Sequence, residues 1–190
     1  MSSNYTVIFD ACVLYPAPLR SLLMYLGVSG EFRARWSDDI HNEWIRNALK
    51  NNPEIEARSL QRVRELMDSH VPGAVVSGYQ SLIPSIELPD EDDRHVVAAA
   101  IQANAEAIIT YNLKDFPEHA LTRYDLQAVH PDDFIADLYD LNAAVVIEAA
   151  RRHRESLKNP PFSVDEYLDC LLRQRLTETV ARLNRLRLTL

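Results

Sequence analysis

Residues 88–116, LPDEDDRHVVAAAIQANAEAIITYNLKDF, carry the pattern from which the fold is read. Asp90, Glu91, Asp92 and Asp93 stand in a row before an apolar run in which Val96, Val97, Ala100 and Ile101 share one stripe. That spacing predicts a helix from Asp93 to about Asn104. Ala107 to Thr110 (AIIT) is a short, continuous apolar run, the mark of a strand buried on both faces, and the polar loop TYNLKDF follows it. Capping accounts for part of the acid run: Asp90 can accept a backbone N–H, and a first-turn carboxylate gains roughly 0.3–1 kcal/mol from the helix dipole. Two unit charges about 4 Å apart repel by ~1 kcal/mol in water and ~4 kcal/mol near a protein surface. The third and fourth acids therefore call for a cation.

Working outward, Tyr5 to Phe9 (YTVIF) has the same buried-strand character, and Asp10 ends it. Pro16 and Pro18 open a run with leucines at helical spacing that stops near Gly27 and Gly30. Ser37 caps a helix over DDIHNEWIRNALK, with Ile40, Trp44 and Ala48 at four-residue spacing, and another helix is expected from about Pro53 to Ser69. Ala74 to Ile83 reads equally as helix or strand. Leu126 to Val129 is a short strand and Pro131 starts further helix. The tail is expected as two amphipathic helices, about 134–157 and 163–187, broken by Asn159, Pro160 and Pro161. Strands alternating with helices imply a mainly parallel sheet, because parallel neighbours need crossover connections.

With 190 residues and 47% hydrophobic content, the chain can bury a full core. It has no apolar run near the ~18 residues of a membrane span, and MSSNYTVIFD lacks a signal peptide's pattern, so a cytoplasmic protein without a membrane partner is expected. Cys12 and Cys170 belong to no CxxC and read as buried thiols. His41, His95 and the other histidines show neither HxxxH nor HExxH spacing, and His95 reads as helix surface. With four glycines there is neither GxxxxGK[ST] nor GxGxxG, which removes the usual nucleotide cradles. The net charge of −8 hides an asymmetry: residues 1–150 sum to −12 and residues 151–190 to +4.

In an open α/β sheet the site lies beyond the carboxyl ends of the strands. Asp10 closes the first strand, and Asp115 lies in the loop after AIIT. Asp93 begins the helix that leads into that strand, and Glu43 flanks a helix face that should be buried, where a lone carboxylate is costly. Each has an ordinary alternative: Asp10 starts a turn, Glu43 is a solvated helix residue, Asp115 is loop polarity. Jointly, oxygen ligands from separate segments are what a hard cation such as Mg²⁺ or Mn²⁺ requires.

FDACVLYP, SDDIHNEWIRN, DDRHVVAAA and AIITYNLKDFP, in that order over residues 5–130, resemble the four acidic motifs of PIN-domain nucleases, the fold of VapC-type toxin ribonucleases. The second motif is loose, and DRHVVAAA followed by IITYNLKDF is the specific one. The resemblance implies a three-layer α/β fold with a central, mainly parallel sheet, a nuclease domain over residues 1–133 and a helical extension over 134–190, on or beside it. It makes Asp10, Glu43, Asp93 and Asp115 the metal-binding and catalytic carboxylates, Thr110 and Asn112 polar supports, and Asp90 an outer acid. It further implies RNA as substrate, an antitoxin partner and a homodimer.

The chemistry expected is phosphodiester hydrolysis, with Mg²⁺ or Mn²⁺ lowering the pKa of a water for in-line attack. Lys114 and Arg94, beside proposed ligands, would meet phosphates or only balance charge. Arg173, Arg175, Arg182, Arg185 and Arg187 in the tail would track RNA, or flank a packing face made by Leu168, Leu171, Leu172, Leu176 and Leu183. Two alternatives stand beside the nuclease: a PIN-like scaffold that binds RNA or protein without cleaving, and a haloacid-dehalogenase-type phosphatase. The latter requires D-x-D where this chain has Asp10-Ala11-Cys12.

Overall fold

A computed structural model describes residues 5–190; Met1 to Asn4, part of the stretch read for a signal peptide, lie outside the described residues. Thr6–Phe9 form β1, every residue of it buried, as its unbroken apolar run requires. Asp10 ends the strand and stands at the N-cap of the short helix α1 (Ala11–Leu14). Pro18, at the start of α2 (Ala17–Gly27), sets the helical φ where its missing N–H costs nothing.

The strand β2 (Arg33–Ser37, RARWS) follows, which the sequence reading passed over. Ala34, Trp36 and Ser37 are buried while Arg33 and Arg35 are not, so its period-two signal is diluted by charge. Ser37 then caps α3 (Asp38–Asn51) as expected, its hydroxyl accepting the Ile40 N–H at 3.2 Å. Helix α4 (Ala57–His70) begins past Pro53, at Ala57. The ambiguous stretch resolves into a two-residue strand β3 (Val75–Val76) and a 3₁₀ turn over Gln80–Ser85. Helix α5 (Arg94–Gln102), β4 (Ala107–Ile109) and β5 (Gln127–Val129) match the reading closely, with α6 (Glu118–Leu121) between the last two strands.

The five strands form one all-parallel sheet in the order β3-β2-β1-β4-β5. The chain builds outward in one direction from β1 to β3, then returns to the other side of β1 with β4. The switch point of the topology therefore lies between β1 and β4, where Phe9 stands opposite Ile109. Helix α5 packs against β1, β2 and β4. Phe9 stacks on Trp36 with centroids 6.5 Å apart and meets Phe32 and Phe134 edge-on at 6.1 and 6.3 Å.

The tail differs from the two helices expected. It comprises α7 (Pro131–Leu141), α8 (Ala143–Ser156), α9 (Val164–Arg173) and α10 (Thr177–Asn184). Asn142 breaks the first pair, leaving the helical region (φ −152°, ψ 82°) while its side chain donates to Glu31 Oε1 at 2.7 Å. Arg175, with φ 62°, breaks the second. Leu168, Leu171, Leu176 and Leu183 are buried, as a packing face demands, and Leu172 is the exposed exception. These helices share the core of the sheet domain: α8 and α9 pack on α2, and Phe134, Ile135, Val146 and Leu171 belong to the same buried cluster as Val7 and Phe9.

Candidate active site

Asp10 and Thr110, the residues just past Phe9 and Ile109, meet across the switch point. The Thr110 hydroxyl donates to Asp10 Oδ2 at 2.7 Å, and the Cys12 thiol donates to the same oxygen at 3.0 Å. Behind them, Asn112 N–H donates to Thr110 Oγ1 at 2.9 Å and Tyr111 N–H to Cys12 Sγ at 3.2 Å. The loop after β4 is thus knitted onto the acid that ends β1. Asp10 is 2% exposed. Burial raises its pKa; the Cys12 and Thr110 donors pull it back and the charge of Glu43 pushes it up again.

Asp93 is the N-cap residue of α5 by position, yet its side chain makes no cap hydrogen bond. Its carboxyl is pushed up to about 7, first by burial and then by the charges of Asp10, Asp90, Glu43 and Asp115. The leading charges acting on it are all negative. The acid run of the opening stretch therefore divides by task. Asp90 accepts the Asp92 N–H at 2.9 Å in a local turn, Glu91 pairs with Arg94 at 2.9 Å, Asp92 is exposed, and Asp93 faces the other carboxylates.

Glu43 comes from α3 and is half-buried, its Oε2 lying 3.3 Å from His95 Nε2. Asp115 is half-buried in the loop, its N–H bonded to Asn112 O at 2.9 Å. Asn112 itself is exposed and serves the site through its backbone. The expected carboxylates Asp10, Glu43, Asp93 and Asp115 thus come from separate segments to within electrostatic reach of one another.

Their donor set is all oxygen, which suits a hard divalent ion. Among the described residues, no three His, Cys, Asp or Glu side chains are drawn up tightly enough to hold a metal ion directly. Mg²⁺ commonly binds through one or two carboxylates and keeps several waters, so such an ion does not require three direct side-chain ligands.

A family model described as the PIN domain matches residues 6–114. The chain belongs to the PIN-domain family. A second model, described as the VapC50 C-terminal domain, matches residues 131–185. A relative from Mycobacterium tuberculosis (strain ATCC 25618 / H37Rv), named "Putative ribonuclease VapC50", is 40% identical over 98 residues, covering 52% of this chain and 57% of that protein. The chain thus matches little more than half the length of that relative. No solved structure matches the chain.

Within this PIN domain, sequence reasoning missed two contributors. His95, read as surface, is only 15% exposed at its side chain and faces Glu43; the partner lies on another helix, so no local pattern announces it. Cys12, read as a buried thiol, is half-buried and donates to Asp10. It also occupies the place of the second acid in D-x-D, so the phosphatase pattern is not met. Cys170 is buried as expected. Arg94 is committed to Glu91, whereas Lys114 is exposed. No described helix is long and apolar enough to cross a membrane.

Proposed function

We propose that this protein is a Mg²⁺- or Mn²⁺-dependent ribonuclease, the toxin of a type II toxin–antitoxin pair. The observation that carries the reading is the Asp93 carboxyl, which makes no cap hydrogen bond to its own helix and whose pKa is raised by burial and by the charges of Asp10, Asp90, Glu43 and Asp115. Such a cluster is costly for the fold and useful only to a bound positive charge. The likeness to a protein named as a ribonuclease supports RNA as the substrate class.

In this reading Asp10, Glu43, Asp93 and Asp115 hold the metal, Thr110 and Cys12 fix the orientation of Asp10, Asn112 secures Thr110, and Asp90 is an outer acid. When bound, the divalent ion supplies Lewis acidity at the scissile phosphodiester and offsets the charge that develops there. The same positive charge favours the ionised form of Asp93, which then orients the attacking water, or leaves that task to Asp115. Single-stranded or looped RNA suits a shallow acidic site, and the product carries a 5′-phosphate.

Residues 1–133 are the nuclease unit and 134–190 an extension packed on it; the packing of α8 and α9 on α2 supports the extension lying on the unit, while α7 runs across the boundary. A cytoplasmic homodimer, inhibited by an antitoxin encoded beside the gene, completes the proposal. The test is cleavage of single-stranded RNA with Mn²⁺ or Mg²⁺, removed by EDTA. Asp10→Asn and Asp93→Asn should each lower kcat/KM by on the order of 10²–10³ while the protein stays folded. RNA binding indifferent to EDTA, with no cleavage, would instead make the molecule a scaffold. Growth that continues under strong expression without the antitoxin would remove the toxin assignment and leave the nuclease.

A further inference from the structure

The helical extension reaches the rim of the site at one corner, residues 174–179. Tyr111, between Thr110 and Asn112 in the loop that supports Asp10, donates its hydroxyl to Gln174 O at 2.7 Å. The Arg175 guanidinium lies over the same ring, 5.2 Å from its centroid, and His130 meets the ring edge-on at 5.2 Å. The corner is pinned a second time by buried Asp132, whose two carboxylate oxygens accept the N–H groups of Glu178 and Thr179 at 2.8 Å each. Arg175 is therefore held against the loop by contacts on both sides of it in sequence.

Its backbone makes the choice of residue informative. Helix α9 closes with Arg175 N–H on Leu172 O at 2.8 Å and Leu176 N–H on Leu171 O at 3.3 Å, which places Arg175 at the left-handed position with φ 62°. Glycine takes that position without strain and a side chain does not. An arginine there is tolerated against the local preference of the chain, so its side chain has to contribute elsewhere. Of the other tail arginines, Arg182 pairs with Asp140 and Glu178 and Arg187 with Asp165, whereas Arg173 and Arg185, like Arg175, have no carboxylate within ion-pair distance among the described residues, and neither of them lies over Tyr111. Among the described residues no carboxylate lies within ion-pair distance of Arg175, which is exposed. A planar guanidinium, oriented by an aromatic face and lacking an acid partner, suits bidentate contact with a phosphate.

We propose that Arg175 binds a backbone phosphate of the RNA strand flanking the cleaved bond, so that the helical extension completes the substrate groove of the nuclease. The inference rests on the ribonuclease reading above. Arg175→Gln, polar but shorter and uncharged, should raise KM for single-stranded RNA about tenfold with kcat within about twofold. The slope of log affinity against log salt should fall by about 0.7, the share of one phosphate on a single strand. Arg175→Lys should keep the wild-type slope, and Arg175→Gly should show the loss seen in Arg175→Gln at an equal or higher Tm, because glycine relieves the backbone. Wild-type cleavage of RNA with KM and salt slope unchanged in the Gln and Gly variants overturns this proposal alone. A wild-type protein that neither binds nor cleaves RNA in Mn²⁺ overturns the ribonuclease reading and this one with it.

Discussion

Asp93 shows how a helix-start residue comes to carry a strongly perturbed carboxyl. Its carboxyl is pushed up to about 7 from an ordinary value of 3.8, so the protonated form is favoured by the fold. The contribution is present in full below pH ~4 and lost as pH rises through about 7, since over that window the folded state binds the extra proton. Asp10 shifts in the same direction, with burial the largest cause. The metal-free protein should therefore lose thermal stability between pH ~4 and ~7; solvent screening at half-buried Asp93 reduces the energy involved, and for a chain of this size each kcal/mol corresponds to about 2–4 °C. Saturating Mn²⁺ should flatten or reverse that trend by charge compensation. A thermal-shift series over that pH range, run with and without Mn²⁺, checks this; parallel slopes would mean the carboxylates bind no cation. At this scale the acids were legible because Asp10, Asp93 and Asp115 each adjoin an element whose apolar pattern fixes their place. His95 was not, because Glu43, which gives it meaning, comes from α3.

Legibility at the scale of elements follows how loudly apolar periodicity speaks over charge. Strands β1 and β4 are uninterrupted apolar runs and were read almost to the residue. Strand β2 buries Ala34 and Trp36 in alternation with Arg33 and Arg35, and its five residues offer too few alternations to register. The breaks in the tail were silent for another reason. Asn142 and Arg175 are neither Pro nor Gly, and the contacts that hold the chain open there, to Glu31 and Tyr111, come from distant segments. Asp132 is the clearest case of an element made by a remote residue: helix α10 has no side-chain cap of its own, and the buried Asp132 carboxylate takes its Glu178 and Thr179 N–H groups. Asp132→Ala strands both donors, one of them buried, and should cost about 2 kcal/mol of stability. Urea titration of the variant measures this directly. A change below about 0.5 kcal/mol would mean that water replaces the carboxylate at no loss, and that the corner around residue 175 is not pinned by it.

Whether the molecule behaves as one body or as a nuclease with a separable appendage depends on where its apolar surface is buried. The extension does not form a core of its own: Phe134 meets Phe9 of the central strand, α8 and α9 lie on α2, and Tyr167 reaches His153 within the same packed cluster as the sheet. Removing the tail would uncover α2 and the Phe9 face together, so neither part can open without exposing apolar area of the other. Cooperative unfolding is the consequence. Both tryptophans, Trp36 and Trp44, lie in the PIN-domain match, whereas the tail contributes α7 to α10 to the helical content. Tryptophan fluorescence and far-ultraviolet circular dichroism should therefore trace the same urea transition, with a common midpoint and a common slope. A helical loss that precedes the fluorescence change would identify residues 134–190 as an independently unfolding unit, and would detach Arg175 from the site before the sheet melts.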